Sequence, residues 1–539
     1  MSNGSKLFVI TLQLTLVCFG IVSGESTAQD LYPPARFAAT DRVAKLQQGF
    51  PSVDELFRRY AMETRIPGMV WGVVIDGEVA HVATFGVQDL TTKTPVTEAT
   101  SFRIASMTKS FTVLAILKLR DQGKLSLEDP VSKFISQFSK IELPTRDSAP
   151  LTIRQLMSHS GGLPEDNPWA DQQLAASETD LTHWLRQGIP FSTPPGTRYE
   201  YSNFAFALLG RIVTKASGIP YERYVQREIL GKLHMNATTF EFSQVPKVRR
   251  AIGYRMQPDG TYLEEPPLPQ GAFGSAGGLL TTAGDLGRYV AFHLSAWPPR
   301  DEPDEGPVRR SSLREMTNPW TPYNLTAGRV EGKLQIIDAG YGYGLRVRSD
   351  CRFQRIVWHS GGLPGFGSVM AWLPDYGVGI FAMATLTYSA PTKALDRAWD
   401  ALLQTGGLQM RALPPSPLLV QMRQHVVNLW NHWDEAEAKQ VGAMNLLLDE
   451  PSIQRRNEIR VLQEEVGECA NAGPVIPENW LRGQVNLSCA HGTVGAFFTL
   501  SPTNPPAIQH LGYRKIASDT VRIGAPTGAP AGVSCAEGL

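Results

Sequence analysis

The sequence predicts an α+β protein made of two unequal units. Three observations predict it. A strand pattern near residue 69 returns near residue 353, and the stretch between them carries apolar residues at helical spacing. A stretch rich in proline and glycine follows. Beyond it, helical patterns precede three alternating segments. The length agrees, since 539 residues exceed what one core serves well.

The N-terminus has the layout of an export signal. Lys6 precedes the apolar run "LFVITLQLTLVCFGIV", and small residues follow in "SGESTAQ". Residues 1–28 are therefore expected to be a signal peptide, cleaved after Gly24 or Ala28. The run is interrupted by Gln13 and is short for a span of about 20 residues. Membrane attachment is expected only if the segment stays uncleaved, and the expected location is periplasmic or extracellular. Cysteine usage suits that compartment: Cys351, Cys469, Cys489 and Cys535 remain after cleavage, an even number. Cys469 and Cys489 flank a short Pro/Gly-containing loop and form the candidate disulfide. No C-x-x-C or histidine cluster has zinc spacing, so neither a metal site nor a cofactor is expected. Lys+Arg and Asp+Glu both number 51, and this zero net charge gives no basis for capturing nucleic acid.

The first unit is read over residues 40–405. "MVWGVVIDGEVAHVATFGV" (69–87) reads as two strands joined at Asp76-Gly77, a strong hairpin signal. "FQRIVWHS", "GSVMAWLP" and "GVGIFAMATL" are strands near the end of the unit. The long stretch between is expected to be mostly helical, including "LTIRQLMSH", "NFAFALLGRIVTKASG" and "TTAGDLGRYVAFHL". Terminal strands from both ends sharing one sheet is the arrangement this order favours. Residues 406–417, with "ALPPSP", read as a linker. A smaller α+β unit, 418–520, combines helical patterns around 418–448 and 453–466 with "NWLRGQVNLSC", "GTVGAFFTL" and "AIQHLGYRKI". Residues 521–539 are low-complexity and read as a flexible tail.

"FRIASMTKSFTVLAIL" (102–117) sets Ser106 and Lys109 three apart at the mouth of a buried helix. At that spacing the side chains can meet. A serine hydroxyl needs a base, and a lysine serves only if its pKa is brought down from about 10.4. Taken alone, the pair equally describes an N-cap serine and a surface lysine. "YEYSNFAF" adds Tyr201 and Asn203, a tyrosine able to relay protons and an asparagine able to hold an amide. "WHSGGLPGFGS" adds His359, Ser360, Gly361 and Gly362, where a strand end can offer a close backbone N–H.

These three motifs in this order resemble the serine β-lactamase and penicillin-binding superfamily, whose S-x-x-K signature Ser106 and Lys109 match. The similarity extends through "LTIRQLMSHSGGLP", "PGTRYEYSNFAFALLGRIVTKASGIPYERYV" and "GSAGGLLTTAGDLGRYV". It is strongest to the branch holding class C β-lactamases, D,D-peptidases, D-aminopeptidases and β-lactamase-like esterases. The resemblance implies a β-lactamase/transpeptidase-like catalytic domain, an antiparallel sheet beside a helical subdomain. It implies that Ser106 is the nucleophile and that Lys109 and Tyr201 transfer protons. Asn203, His359, Ser360 and Gly361 would bind substrate, and the N–H groups of Ser106 and Gly362 would form the oxyanion hole. The activity implied is that of an exported serine acyl-hydrolase acting on an amide or ester, a D-Ala-type peptide or a small ester, with cell-wall-related substrates within that class. A true β-lactamase and a catalytically silent penicillin-binding scaffold are the alternatives. The chain departs from many relatives at His359, where β-lactamases usually carry lysine. A histidine only partly charged near neutrality attracts a carboxylate less, which speaks against β-lactam turnover.

Overall fold

A computed structural model describes residues 31–330 and 333–516. The expected signal peptide, 1–28, and tail, 521–539, lie outside the described residues. Within them the α+β architecture is as expected. Strands β1 (Gly68–Ile75), β2 (Glu78–Asp89), β3 (Thr94–Pro95), β4 (Thr321–Val330), β5 (Lys333–Tyr341), β6 (Arg346–Ser349), β7 (Ile356–Leu363), β8 (Phe366–Leu373) and β9 (Val378–Ala384) form one antiparallel sheet. Their order is β3-β2-β1-β9-β8-β7-β6-β5-β4. The two ends of the unit thus meet at the sheet's centre, where β1 pairs with β9 from Met69↔Ala384 to Ile75↔Val378.

Local chemistry explains the hairpin. Asp76 and Gly77 both have positive φ, 51° and 91°, the backbone a tight two-residue turn needs to match strand twist. β1, β8 and β9 are buried at every residue, because helices cover both faces. On one face lie α1 (Phe50–Glu63) and α5 (Thr392–Gln404), packing Phe57 and Trp399 against Trp71 and Ile380. The other face carries the helical region, including α2 (Thr108–Asp121), α3 (Asn203–Ser217) and α4 (Ala283–Leu294).

The middle stretch is less helical than its sequence predicts. "LTIRQLMSH" yields one short helix, Ile153–Met157, and residues 321–349 supply strands β4, β5 and β6. The outer hairpin of β4 and β5 projects from the sheet, and Leu325 is 77% exposed. Thr321, Ala339 and Tyr341 at the base of this hairpin are buried, but its far half is exposed and shows no apolar alternation, so the pattern that marks strands was weak there.

The second unit holds α6 (Pro417–Asn431), α7 (Ser452–Val466) and a four-stranded sheet of β10 (Cys469–Asn479), β11 (Arg482–Cys489), β12 (Gly492–Leu500) and β13 (Ile508–Ile516). Three strands were expected and a fourth, β10, is present. Gly473, Pro474 and Pro477 break its alternation, and three register shifts absorb them against β11. An edge strand tolerates this because one side of its backbone needs no partner. Cys469 and Cys489 face each other across β10 and β11 and are disulfide-bonded. The unit has its own core, from Leu419 through Trp430 and Phe498 to Leu511.

The stretch 406–417 is docked onto the first unit. Arg36 and Ala412 exchange backbone hydrogen bonds of 2.8 and 2.7 Å. Trp480 of the second unit donates its Nε1–H to Pro33 O at 3.0 Å, and the Tyr32 ring packs at a tilt against its indole, 5.3 Å between centroids. No helix among the described residues is long and apolar enough to cross a membrane.

Candidate active site

Ser106 sits in a 3₁₀ turn, Ala105–Met107, that runs straight into α2. Ala105 has a positive φ of 48°, a rare state for a residue with a Cβ. The turn is pressed by β7: a Cβ added to Gly361 would lie 2.1 Å from Ile104 O and 2.5 Å from Ser368 Oγ. Ser368 Oγ also donates to Ile104 O at 2.9 Å. Gly361 therefore lets the strand end reach the serine turn.

Lys109, one helical turn on, is completely buried. Its Nζ lies 3.0 Å from Ser106 Oγ, 2.6 Å from Asn203 Oδ1 and 2.9 Å from Ala276 O. Burial brings its pKa down to about 7, with the negative charges of Asp171 and Asp166 opposing the shift. Asn203 is held in one orientation, since its Nδ2 donates to Asp166 Oδ1 at 3.1 Å and Asn167 Oδ1 at 2.9 Å. The side chain expected to hold a substrate amide thus spends both ends on protein partners. Asn203 occupies the first turn of α3, whose N-cap is Ser202 and whose leading N–H groups are further capped by Asp166.

A neutral amine has two N–H bonds and one lone pair. Asn203 Oδ1 and Ala276 O accept only, so they take both N–H bonds of neutral Lys109. The lone pair is left to face Ser106. The site thereby aims a base at the serine hydroxyl whenever Lys109 loses its proton.

Tyr201 is buried with its phenol near Ser106, and burial pushes that phenol well above the usual range. His159 orders this wall: its Nδ1 accepts from Ser202 N–H at 3.1 Å and its ring lies 4.3 Å from that of Tyr201.

His359 differs from expectation. It is buried, with Nδ1 2.6 Å from Ser360 O and Nε2 3.0 Å from Tyr341 Oη. Because Ser360 O can only accept, the proton sits on Nδ1 and Nε2 accepts from the tyrosine. Burial and the nearby charges of Arg346 and Lys109 hold its pKa well below the usual value. The imidazole is therefore neutral at physiological pH, where partial charge was expected.

The fixed positive charge belongs to Arg346, on β6, which pairs with Trp358 beside His359. Its guanidinium lies 5.4–5.9 Å from the ring centroids of Tyr201, Tyr323, Tyr341 and Trp358. The phenols of Tyr199 and Tyr323 also lie near this guanidinium. No motif marked this residue, which reads as one of 51 Lys and Arg side chains. Asp171 and Tyr388 were also missed. Tyr388 Oη donates to Asp171 Oδ2 at 2.9 Å, and its ring lies against Gly362. Ser106, Asp171, Asn203, Phe273, Gly277 and Leu363 line a void of about 10 Å³. Among the described residues no group of three His, Cys, Asp or Glu side chains is placed to hold a metal ion.

The family model for Beta-lactamase matches residues 53–405, most of the chain. The chain belongs to the beta-lactamase family. Members of this family are serine hydrolases. The sequence is 29% identical to Protein flp of Staphylococcus aureus over 346 residues, 64% of each chain. It thus spans less than two thirds of that relative's length. It is also 29% identical to Beta-lactamase-like protein 2 of Dictyostelium discoideum over 392 residues, 69% of this chain and 66% of that one. An octameric penicillin-binding protein homologue from Pyrococcus abyssi shares the fold with a TM-score of 0.57 at 22% identity, over 86% of this chain and 95% of that one. A class C beta-lactamase does so with a TM-score of 0.52 at 21% identity, over 68% and 98%. In this beta-lactamase-family chain the S-x-x-K, Y-x-N and H-S-G elements converge from α2, the start of α3 and β7.

Proposed function

We propose that the protein is an exported serine acyl-hydrolase that cleaves an amide or ester through an acyl-enzyme on Ser106. One observation carries the reading. Lys109 is buried, titrates near neutrality and has acceptors that turn its lone pair toward Ser106 Oγ. Lys109 takes the serine proton as Oγ bonds to the substrate's carbonyl carbon. Backbone N–H groups of Ser106 and Gly362 receive the oxyanion, a contribution of about 3 kcal/mol per donor in such sites. Tyr201, kept protonated by burial, gives a proton to the leaving group as the C–N or C–O bond breaks, and regains one from Lys109. Water then cleaves the acyl ester and restores the serine hydroxyl.

Arg346 supports a substrate bearing a carboxylate near the scissile bond, as a D-Ala-type peptide does. The same cation favours a second reading, β-lactam hydrolysis, because the charge that His359 lacks is supplied from β6. Export is part of the proposal, on the strength of Lys6 and the apolar run behind it.

Ser106→Ala is expected to abolish turnover while leaving the fold intact. Mass spectrometry after exposure to a fluorescent penicillin and a fluorophosphonate should find the adduct on Ser106. An adduct on another residue would sink the assignment, and steady-state rates with penicillin against a D-Ala dipeptide separate the two readings.

A further inference from the structure

We propose that a second disulfide, between Cys351 and Cys535, clasps the C-terminal tail onto the catalytic unit at the turn joining β6 to β7. The proposal rests on the export reading above, which removes Cys18 with the signal segment. The sequence holds five cysteines, Cys18, Cys351, Cys469, Cys489 and Cys535. Cys469 and Cys489 are bonded to each other. Cys351 is also disulfide-bonded, to a partner outside the described residues. Only Cys18 and Cys535 qualify, and in the mature protein only Cys535 is left.

The place of Cys351 suits a fastening point. It is half-buried in the turn between β6 and β7, the strands that carry Arg346 and His359. Its Sγ accepts the N–H of Ile336 on β5 at 3.4 Å. The turn holds its own shape without a covalent tie. Asp350 Oδ1 accepts from the N–H groups of Arg352 and Phe353 at 2.9 and 3.0 Å, and Phe353 is buried. Arg352 bridges Asp350 and Asp400 at 2.8 and 2.7 Å. A bond from this sulfur therefore adds little to the turn, and its effect falls on the segment it fastens.

The tail has the length and composition for this. From Ile516, at the end of β13, the chain to Cys535 can extend about 60 Å. Its stretch "GAPTGAPAG" is built of Gly, Pro and small residues, a composition suited to a tether. The second unit is then held at both ends, at its start by the backbone hydrogen bonds between Arg36 and Ala412 and at its end by the disulfide. In forming the bond the two thiols lose two protons and two electrons. The electrons pass by exchange to the disulfide of a thiol oxidant in the receiving compartment, which leaves as a dithiol.

The test uses the full chain, secreted into an oxidising compartment and kept unreduced. After alkylation with iodoacetamide and digestion with trypsin, mass spectrometry should find Ser349–Arg352 joined to Ile523–Leu539, and an N-terminus beginning after Gly24 or Ala28. A thiol-specific dye should find no free thiol in the unfolded protein, and one in either Cys351→Ser or Cys535→Ser. Each variant should lower the Tm by about 5 °C, the worth of a ring of this size, and leave kcat/KM for a neutral ester within about twofold of wild type. If Cys351→Ser does not fold, Cys535→Ser decides. An alkylated Cys351, or one joined to a second chain, in protein with a processed N-terminus overturns the clasp alone. The Cys351–Cys535 link in unprocessed protein keeps the clasp and overturns the export reading, and a Cys18–Cys351 link overturns both. A mapped bond with an unchanged Tm in Cys535→Ser overturns the fastening role.

Discussion

Lys109 is the residue whose chemistry sets the pH response of the proposed reaction. Its pKa in the fold is about 7 against 10.5 for an ordinary lysine. Acylation needs the neutral amine, so its rate should rise about tenfold per pH unit below 7 and level off above it. Burst kinetics with an activated ester across pH 5.5–9 measure this, and a flat profile would contradict the lysine base. Folding stability carries the same sign. Between about 7 and 10.5 the unfolded chain binds the proton that the folded one has released, so stability rises with pH over that window. His359 cannot produce the profile, because it is already neutral. Arg346→Ala should lower kcat/KM for carboxylate-bearing substrates by about 10- to 100-fold, the worth of a charge-assisted hydrogen bond, and change a neutral ester much less. Equal losses on both substrates would assign Arg346 a structural role.

At the scale of elements, the site depends on β7 touching the turn before α2. Gly361→Ala places a Cβ 2.1 Å from Ile104 O, so the strand or the turn must move. A shift of about 1 Å in such a constellation costs on the order of 10²-fold in rate. Gly361→Ala is therefore expected to lose about that much kcat in steady-state ester assays while circular dichroism stays near wild type. Unaltered kcat would show that the contact is dispensable. The pair Lys109→Ala and Tyr201→Phe gives a second check. Residues sharing one proton path act as a unit, so the double variant should lose far less than the product of the single losses.

For the molecule as a whole, the second unit has its own core and disulfide, which favours separable folding. The contacts of Trp480 with Pro33 and Tyr32 nevertheless tie it to the start of the described chain. A protein ending near residue 410 should keep Ser106-dependent esterase activity and show a lower Tm. Loss of soluble expression would mean the two units fold together. Replacing Cys469 and Cys489 together by serine should act on the second unit, by about 3 kcal/mol for a loop of that size, read as a shift in its own unfolding transition.

The local order of the chain settled much of this protein in advance. The Asp76-Gly77 turn, the apolar β7–β9 pattern and the i, i+3 spacing of Ser106 and Lys109 are short-range features, governed by backbone sterics and helical or strand period. The motifs therefore named Ser106, Lys109, Tyr201, Asn203 and the His359 strand before any fold was known. The charge state of the site was decided only in three dimensions. Arg346 matters because folding sets it beside four aromatic rings, His359 is neutral because burial and two cations surround it, and Lys109 is a candidate base because two acceptors and full burial enclose its amine. Desolvation and through-space charge depend on which distant segments meet, and no spacing along the chain encodes them.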